Sequence, residues 1–464
     1  MLSFLICLGA LAFLIFVAYR GQSVILFAPV AALGAVLLTD PSAVAPVFTS
    51  YFMVKMVGFV QLYFPVFLLG AIFGKVIELS GFAKSIVTAA IKILGPKRAM
   101  VSIVVVCALL TYGGVSLFVV VFAVYPFAAE MFREADIPKR LIPGTIALGA
   151  FTFTMDSLPG TPQIQNIIPT TFFKTTSMAA PILGTIGSLF IIVVGLSYLE
   201  WRRRAAIAKG EGYGTGHILE PAPVTDENLV NPAIAILPLV VVGVMNIVLT
   251  YTLPYFYSAA ISVTLVPGGT AINAQLSSIL GIWAVIGALL LGILTVFVFA
   301  WSTVTPKFSE GSKSAIGGAL LAAMNTGSEY GFGAVIAVLP GFVLIAHALG
   351  AIPNPLVNEA ISVTSLAGIT GSASGGMGIA LAALSGQFIA AAQAHGIPME
   401  VLHRVASMAS GGMDTLPHNG AVITLLSVTG LTHRESYRDI FAITITKTSA
   451  VFVVIAVYYL TGWV

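Results

Sequence analysis

Met155-Asp156-Ser157-Leu158-Pro159 recurs as Met413-Asp414-Thr415-Leu416-Pro417, with the two aspartates 258 positions apart (414 − 156). Both pentapeptides lie inside long apolar runs, where a charged carboxylate is costly unless it faces a partner or water. The proline that closes each motif stops a regular helix from running through. An acidic residue at a helix break, twice, at one offset, marks an internal repeat built on interrupted membrane helices.

Each motif is preceded by a long apolar segment, 99–133 or 355–393, with a small polar cluster near its middle. The clusters are Thr111-Tyr112-Gly113-Gly114-Val115-Ser116 and Thr370-Gly371-Ser372-Ala373-Ser374-Gly375-Gly376, and Gly113 and Gly371 keep the 258-residue offset. A continuous span gains nothing from such a cluster. A helical hairpin that enters the membrane and leaves by the same side needs one, with glycines to turn and serines to cap the returning helix. Ile137-Pro138 and Ile397-Pro398 follow the hairpins, shifted by two residues. Each half thus reads as three spans, a hairpin, a broken span and a final span. That odd count makes the halves antiparallel across the membrane.

Composition supports the same class. Of 464 residues 58% are hydrophobic and 8% charged, with a mean hydropathy of +1.02, whereas soluble domains carry roughly 25% charged residues. The expected fold is an all-α polytopic membrane protein of about ten spans (segments near 20 residues). They are 2–19, 24–40, 63–79, 139–172, 177–200, 232–252, 277–300, 329–350, 398–431 and 438–462. Of these, 139–172 and 398–431 are the broken helices. Residues 1–200 form the first inverted repeat, 201–231 a cytoplasmic linker, and 232–464 the second repeat. Met1–Tyr19 lacks the basic start and small-residue cleavage site of a signal peptide and reads as the first span. A net charge of +3 gives no reason to expect nucleic acid. Cys7 and Cys107 sit in apolar runs and read as small buried hydrophobes, with no metal or cofactor implied.

Orientation follows from the basic residues. Arg202, Arg203, Arg204 and Lys209 place the linker in the cytoplasm. Lys97, Arg98, Arg133, Lys139 and Arg140 then put both ends of the first hairpin inside, together with Arg20, Lys307, Lys313, Arg434 and Arg438. Both termini are expected outside, in a bacterial inner membrane.

The expected binding residues gather at the hairpin tips and the breaks: Gly113, Gly114, Ser116, Asp156, Ser157, Thr161, Ser372, Ser374, Gly375, Asp414, Thr415, His418 and Asn419. Thr161, before Pro162, and Asn419 are expected to cap new helices after the breaks. Two helix N-termini would then offer N–H groups and a positive dipole end to a carboxylate, with no intramembrane arginine required. The bland alternative is that both aspartates only cap helices beside structural prolines. Asp156, Asp414 and His418 are the expected proton carriers, His418 because histidine titrates near neutral pH. Lys55 and Lys75 are expected to snorkel to an interface. Glu78, Glu359, His403, Arg404 and His347 are placed near membrane edges, and Glu329, after Asn325 and Ser328, is open to a cavity role.

At these motifs the chain resembles the gluconate permease family of the ion transporter superfamily, over nearly its whole length. The telling stretches are residues 149–162, Gly-Ala-Phe-Thr-Phe-Thr-Met-Asp-Ser-Leu-Pro-Gly-Thr-Pro, and 410–420, Ser-Gly-Gly-Met-Asp-Thr-Leu-Pro-His-Asn-Gly. It looks most like the branch of 3-hydroxybutyrate permeases. The resemblance implies proton symport of a small hydroxylated monocarboxylate, 3-hydroxybutyrate ahead of gluconate. It also implies a homodimer with a scaffold and an elevator-like transport domain, and it leaves sodium open as coupling ion. Two other readings compete. An intramembrane aspartyl protease would need Tyr-Asp and Gly-x-Gly-Asp motifs, and neither surrounds Asp156 or Asp414. A passive anion channel would share the anion site but could not drive uptake uphill.

Overall fold

The computed structural model describes residues 2–20, 22–94, 98–217, 220–221, 229–266, 268–342, 352–370, 372–417 and 419–464. The chain begins with α1 (Leu2–Tyr19), α2 (Val24–Thr39), α3 (Met53–Leu79) and α4 (Phe82–Leu94). The first hairpin is α5 (Ala99–Tyr112) and α6 (Leu117–Glu134). The first broken helix is α7 (Ile142–Ala150), α8 (Phe153–Asp156) and α9 (Ile164–Phe173), and α10 (Pro181–Ile207) follows. After the linker come α11 (Pro232–Phe256) and α12 (Leu276–Val338). The second hairpin is α13 (Pro355–Thr370) and α14 (Ala373–Ala394). The second broken helix is α15 (Met399–Gly411), a 3-10 turn (Gly412–Thr415) and α16 (Gly420–Thr429), and α17 (His433–Thr461) closes the chain.

The protein is an all-α polytopic membrane protein. Six helices among the described residues are long and apolar enough to cross a bilayer. Local sequence sets the ends of several helices. Asn231 caps α11 by accepting from Ala233 N, with Pro232 as the first helical residue. Thr432 and Glu435 form a reciprocal capping box at the start of α17. Small residues let helices approach closely, as membrane packing demands. A side chain at Gly149 of α7 would overlap Cys107 and the Val104 carbonyl of α5.

The hairpins enter from opposite ends of the molecule. Near the start of α17, Ser436 Oγ donates to the Arg140 carbonyl and Asp439 accepts from Arg140 and Arg202. At its far end Tyr459 donates to Asn354, just before the second hairpin. The 29 residues of α17 span about 44 Å at roughly 1.5 Å per residue. The base of the first hairpin shares its end with the linker, because Arg133 and Lys139 both donate to Glu220, and Arg140 to Glu211.

Four expectations need correction. The spans expected at 277–300 and 329–350 belong to α12, whose helical geometry fails at Ala300 (φ −135°, ψ 29°). Its second limb starts there rather than at 329, because Lys307, Glu310 and Lys313 lower the hydropathy of a stretch that remains helical. Residues 343–350 lie outside the described residues. Second, α3 begins ten residues before the expected 63, with helical turns running back to Pro41. Lys55 sits over the Tyr51 ring at 5.5 Å. Third, α4 is an amphipathic helix that no apolar run announced. Fourth, Ala260–Val263 and Ile272–Gln275 form a short antiparallel strand pair in an otherwise helical chain.

Candidate functional site

The first break is a turn whose unpaired carbonyls are met from the other half of the chain. Gly160, at φ 80°, turns the backbone so that its N–H donates to Ser177 O at 2.9 Å rather than back to Asp156 O. The Asp156 carbonyl instead accepts from Arg404 Nη1 at 2.7 Å and from Ser407 Oγ at 2.9 Å. Arg404 also donates to Ala179 O and Asn166 Oδ1, and His403 bridges Thr175 and Asn166. Arg404 and His403 are fully buried, so each polar atom needs a partner. Arg404's five-donor fork suits such a cluster of carbonyls.

The second break is held in the same manner by α17. Thr415 O accepts from Tyr437 and Thr444, and Pro417 O lies 2.8 Å from His433 Nε2. Asn419 caps α16 by accepting from Ala421 N at 2.7 Å, as expected.

Between the breaks lies a compact set of charges. Asp156 Oδ2 is 2.6 Å from Lys447 Nζ of α17, with both side chains buried, and Ser157 Oγ donates to the other carboxylate oxygen at 2.7 Å. Lys447 also donates to Phe151 O at 2.8 Å. Asp414 lies within electrostatic reach of both Lys447 and Asp156. It accepts from Gln165 Nε2 at 2.8 Å, Ala373 N at 3.2 Å and Asn419 Nδ2 at 3.3 Å. The approach is close enough that a side chain at Gly411 would overlap both Asp156 Oδ2 and Lys447 Nζ.

Each hairpin tip is tied to its own break. At the first, Gln163 Nε2 donates to Thr111 O at 2.7 Å, and Tyr112 OH to Pro159 O at 2.9 Å. At the second, the tie is Asp414 to Ala373 N. Ser372 caps α14, accepting from Gly375 N at 3.1 Å, and Ser374 Oγ lies 3.4 Å from Thr326 Oγ1 of α12.

The structure therefore brings Asp156, Ser157, Asp414, Asn419, Ser372, Ser374 and Gly375 into one connected region, and places Gly113, Gly114 and Ser116 at the other tip. Two helix-cap expectations are corrected. Thr161 does not cap the new helix: its hydroxyl donates to Thr154 O at 2.6 Å, and Gln163 occupies the cap position of α9. Ser116 stands at the cap position of α6 without a side-chain cap bond. Thr415 turns to α17, 2.6 Å from Thr444 Oγ1. His418, Gly371 and His347 lie outside the described residues.

The sequence reading also misplaced several charges. Arg404, His403 and Glu359 are fully buried, Arg404 and His403 at the first break, and Lys447 was not anticipated. The region is thus not free of intramembrane cations. Ser407 neighbours both His403 (i, i+4) and Arg404 (i, i+3) on α15, a signal available in the sequence. Lys75 and Glu78 form a surface ion pair at 2.8 Å. An apolar crevice of about 440 Å³, lined by Val104, Tyr112, Phe153, Pro159 and Ile192 among others, contains neither aspartate. Its walls suit a hydrocarbon rather than a carboxylate.

No family model matches the sequence. A Bacillus subtilis (strain 168) protein described as the uncharacterized transporter YxjC is 59% identical over 469 residues, covering 99% of each chain. The crystal structure of the Alcanivorax borkumensis YdaH transporter, reported to have an unusual topology, superposes with a TM-score of 0.50. It is 14% identical and covers 91% of this chain and 90% of that one. The likeness is one of fold.

Proposed function

This chain belongs to the same family as the Bacillus subtilis transporter YxjC, and from that premise we propose that it imports a small hydroxylated monocarboxylate by proton symport. 3-Hydroxybutyrate is the favoured substrate and gluconate the next, on the resemblance of residues 149–162 and 410–420 to gluconate permeases, and the setting is a bacterial inner membrane. The observation that carries the reading is the buried Asp156–Lys447 pair with Asp414 beside it. Two carboxylates and two cations, Lys447 and Arg404, meet at the breaks. An entering monocarboxylate adds one uncompensated negative charge in a low-dielectric setting, and a proton taken up by Asp156 or Asp414 restores the balance. The same proton removes the opposition of a membrane potential, about 2.3 kcal/mol per 100 mV for one charge.

Hydroxyls at Ser372 and Ser374, the amide of Asn419 and the starts of α14 and α16 suit the hydroxyl and carboxylate of such a substrate. The moving unit in this reading is both hairpins with both breaks, sliding in a homodimer against a scaffold that contains α3, α11 and α12. Sodium is the alternative coupling ion. The test is uptake of labelled 3-hydroxybutyrate and gluconate into proteoliposomes, with proton and sodium gradients imposed separately. Accumulation on the pH gradient alone is expected. Accumulation only on sodium transfers the coupling to that ion, and flux that never runs uphill identifies a passive channel.

A further inference from the structure

The second hairpin is gripped by two carboxylates, and the site described above uses only one of them. Asp414 holds the start of α14 through Ala373 N. Two residues further along, at Gly375, stands Glu329 of α12, 4% exposed. Its Oε2 occupies the place a side chain would take at Gly375, and Ser372 Oγ is within hydrogen-bonding reach of the carboxylate. Oε2 itself has no hydrogen-bond partner. A buried carboxylate oxygen without a donor, aimed into the first turn of a 22-residue helix, is favoured there by the positive end of the helix dipole. Without that interaction it would be costly to keep charged.

Two carboxylates meet the first turn of α14, Asp414 at Ala373 N and Glu329 at Gly375, and α13 carries the buried Glu359; of the first two, only Glu329 belongs to α12. Helices α14 and α9 contribute no titratable side chain. From α3 and the turn before it come Tyr63, which donates to Ile168 O, and Lys55, which sits over Tyr51. On α12 itself the neighbour is Tyr330, stacked against Phe59 at 5.4 Å. Among the described residues the first hairpin has no such contact. There α3 approaches with Gly74, whose Cβ position is 3.5 Å from Ser116 N. The two tips are therefore chemically unequal, although their backbones correspond.

We propose that Glu329 is a proton-operated latch: ionised, it holds the second hairpin against α12, and protonated, it releases the hairpin. Resting on the symport reading above, this makes Glu329 a positioning residue in the coupling cycle. Protonation removes the charge that the α14 N-terminus attracts, so release follows proton entry.

Two measurements test the latch. Hydrogen–deuterium exchange of residues 372–385, corrected for intrinsic rate, needs no substrate. In the wild type it should quicken as pH falls. E329Q should be fast with a weakened pH dependence, the remainder being due to Asp414 at Ala373 N, E329D should keep the full pH dependence, and residues 115–125 should be the same in all three. In proteoliposomes E329Q should lose accumulation on a pH gradient by about tenfold and keep counterflow within about twofold, the size of an ordinary coupling free energy. Unchanged exchange in E329Q, or full pH-driven accumulation, overturns the latch. So does loss of counterflow in E329Q protein that unfolds at the wild-type temperature, because Glu329 then serves binding. If E329Q does not fold, wild-type and E329D exchange decides, and a pH-independent wild-type segment refutes the proposal. Wild-type protein with pH-dependent exchange but no proton-driven uptake refutes the symport reading while the latch stands.

Discussion

Lys447 Nζ lies 2.6 Å from Asp156 Oδ2, with side-chain exposures of 1% and 0%. The two residues come from opposite halves of the chain, so this contact joins the first break to the last helix. Removing one partner of such a buried pair strands the other, which is why single and double substitutions differ.

Lys447→Met is expected to destabilise the protein by about 3–5 kcal/mol, because Asp156 is left charged and unpaired. Adding Asp156→Asn should recover part of that loss, so that the double variant is more stable than the sum of the single changes predicts. Thermal unfolding in detergent of the four proteins checks this. Strict additivity would show that the pair does not interact.

Asp156→Asn and Asp414→Asn separate coupling from binding. The variant that removes the proton carrier should lose accumulation on a pH gradient while retaining counterflow, because exchange needs no net proton movement. His418→Ala serves as the third arm. If all three variants still concentrate substrate on a pH gradient, none of these groups carries the proton.

Gly376 and Gly386 lie in the same helix, α14, and predict opposite outcomes. A side chain at Gly376 would run into the Ala367 backbone of α13, whereas nothing lies within 4 Å of the Gly386 position. Backbone cannot give way as a flexible side chain does. Gly376→Ala should therefore cost about 1–3 kcal/mol by overpacking the hairpin. Gly386→Ala should be neutral or stabilising by up to about 1 kcal/mol through helix propensity. Melting temperatures of the two variants decide the matter.

The linker offers a pH-dependent prediction outside the membrane. The Glu211 carboxyl is held below its ordinary range, first by its hydrogen bonds from the Arg140 guanidinium and then by the same group's charge, against partial burial. A lowered value means that the contact contributes above the ordinary glutamate value, about 4.3, and is lost as pH falls through the lowered one. Glu211 is 39% exposed, so solvent screening keeps the gain under about 1 kcal/mol. Limited proteolysis between Lys209 and Gly216 should be slow at neutral pH and quicken below that range. Glu211→Gln should be cut equally fast at both.

Much of the architecture was legible because membrane helices announce themselves one at a time. The hairpins expected at 99–133 and 355–393 appear at 99–134 and 355–394, since Gly-Ser clusters inside apolar runs have few other uses. The Pro159 and Pro417 breaks were equally plain. Asn419 and Ser372 could be named as caps because a cap bonds within its own few residues. Where hydropathy was the only guide it failed at charges: Lys55 hid the start of α3, and Lys307 and Lys313 hid the second limb of α12.

What the sequence could not decide is which polar groups meet. Asp156 and Asp414 were visible as anomalies, each an acid in an apolar run beside a proline. Their partners Lys447, Gln165 and Ala373 N lie 291, 249 and 41 positions away respectively. Nothing local distinguishes Lys447 from a lysine that reaches for an interface. The same holds for Arg404, which looked like an edge residue until the first break presented its carbonyls, and for Glu329, whose neighbour Gly375 belongs to another helix. Chain-local chemistry marked most of the spans, the turns and the caps at Ser372 and Asn419, because those interactions close within a few residues. Only tertiary packing could assign the charges, because a buried ion pair is defined by the meeting of distant segments and by the water excluded around them.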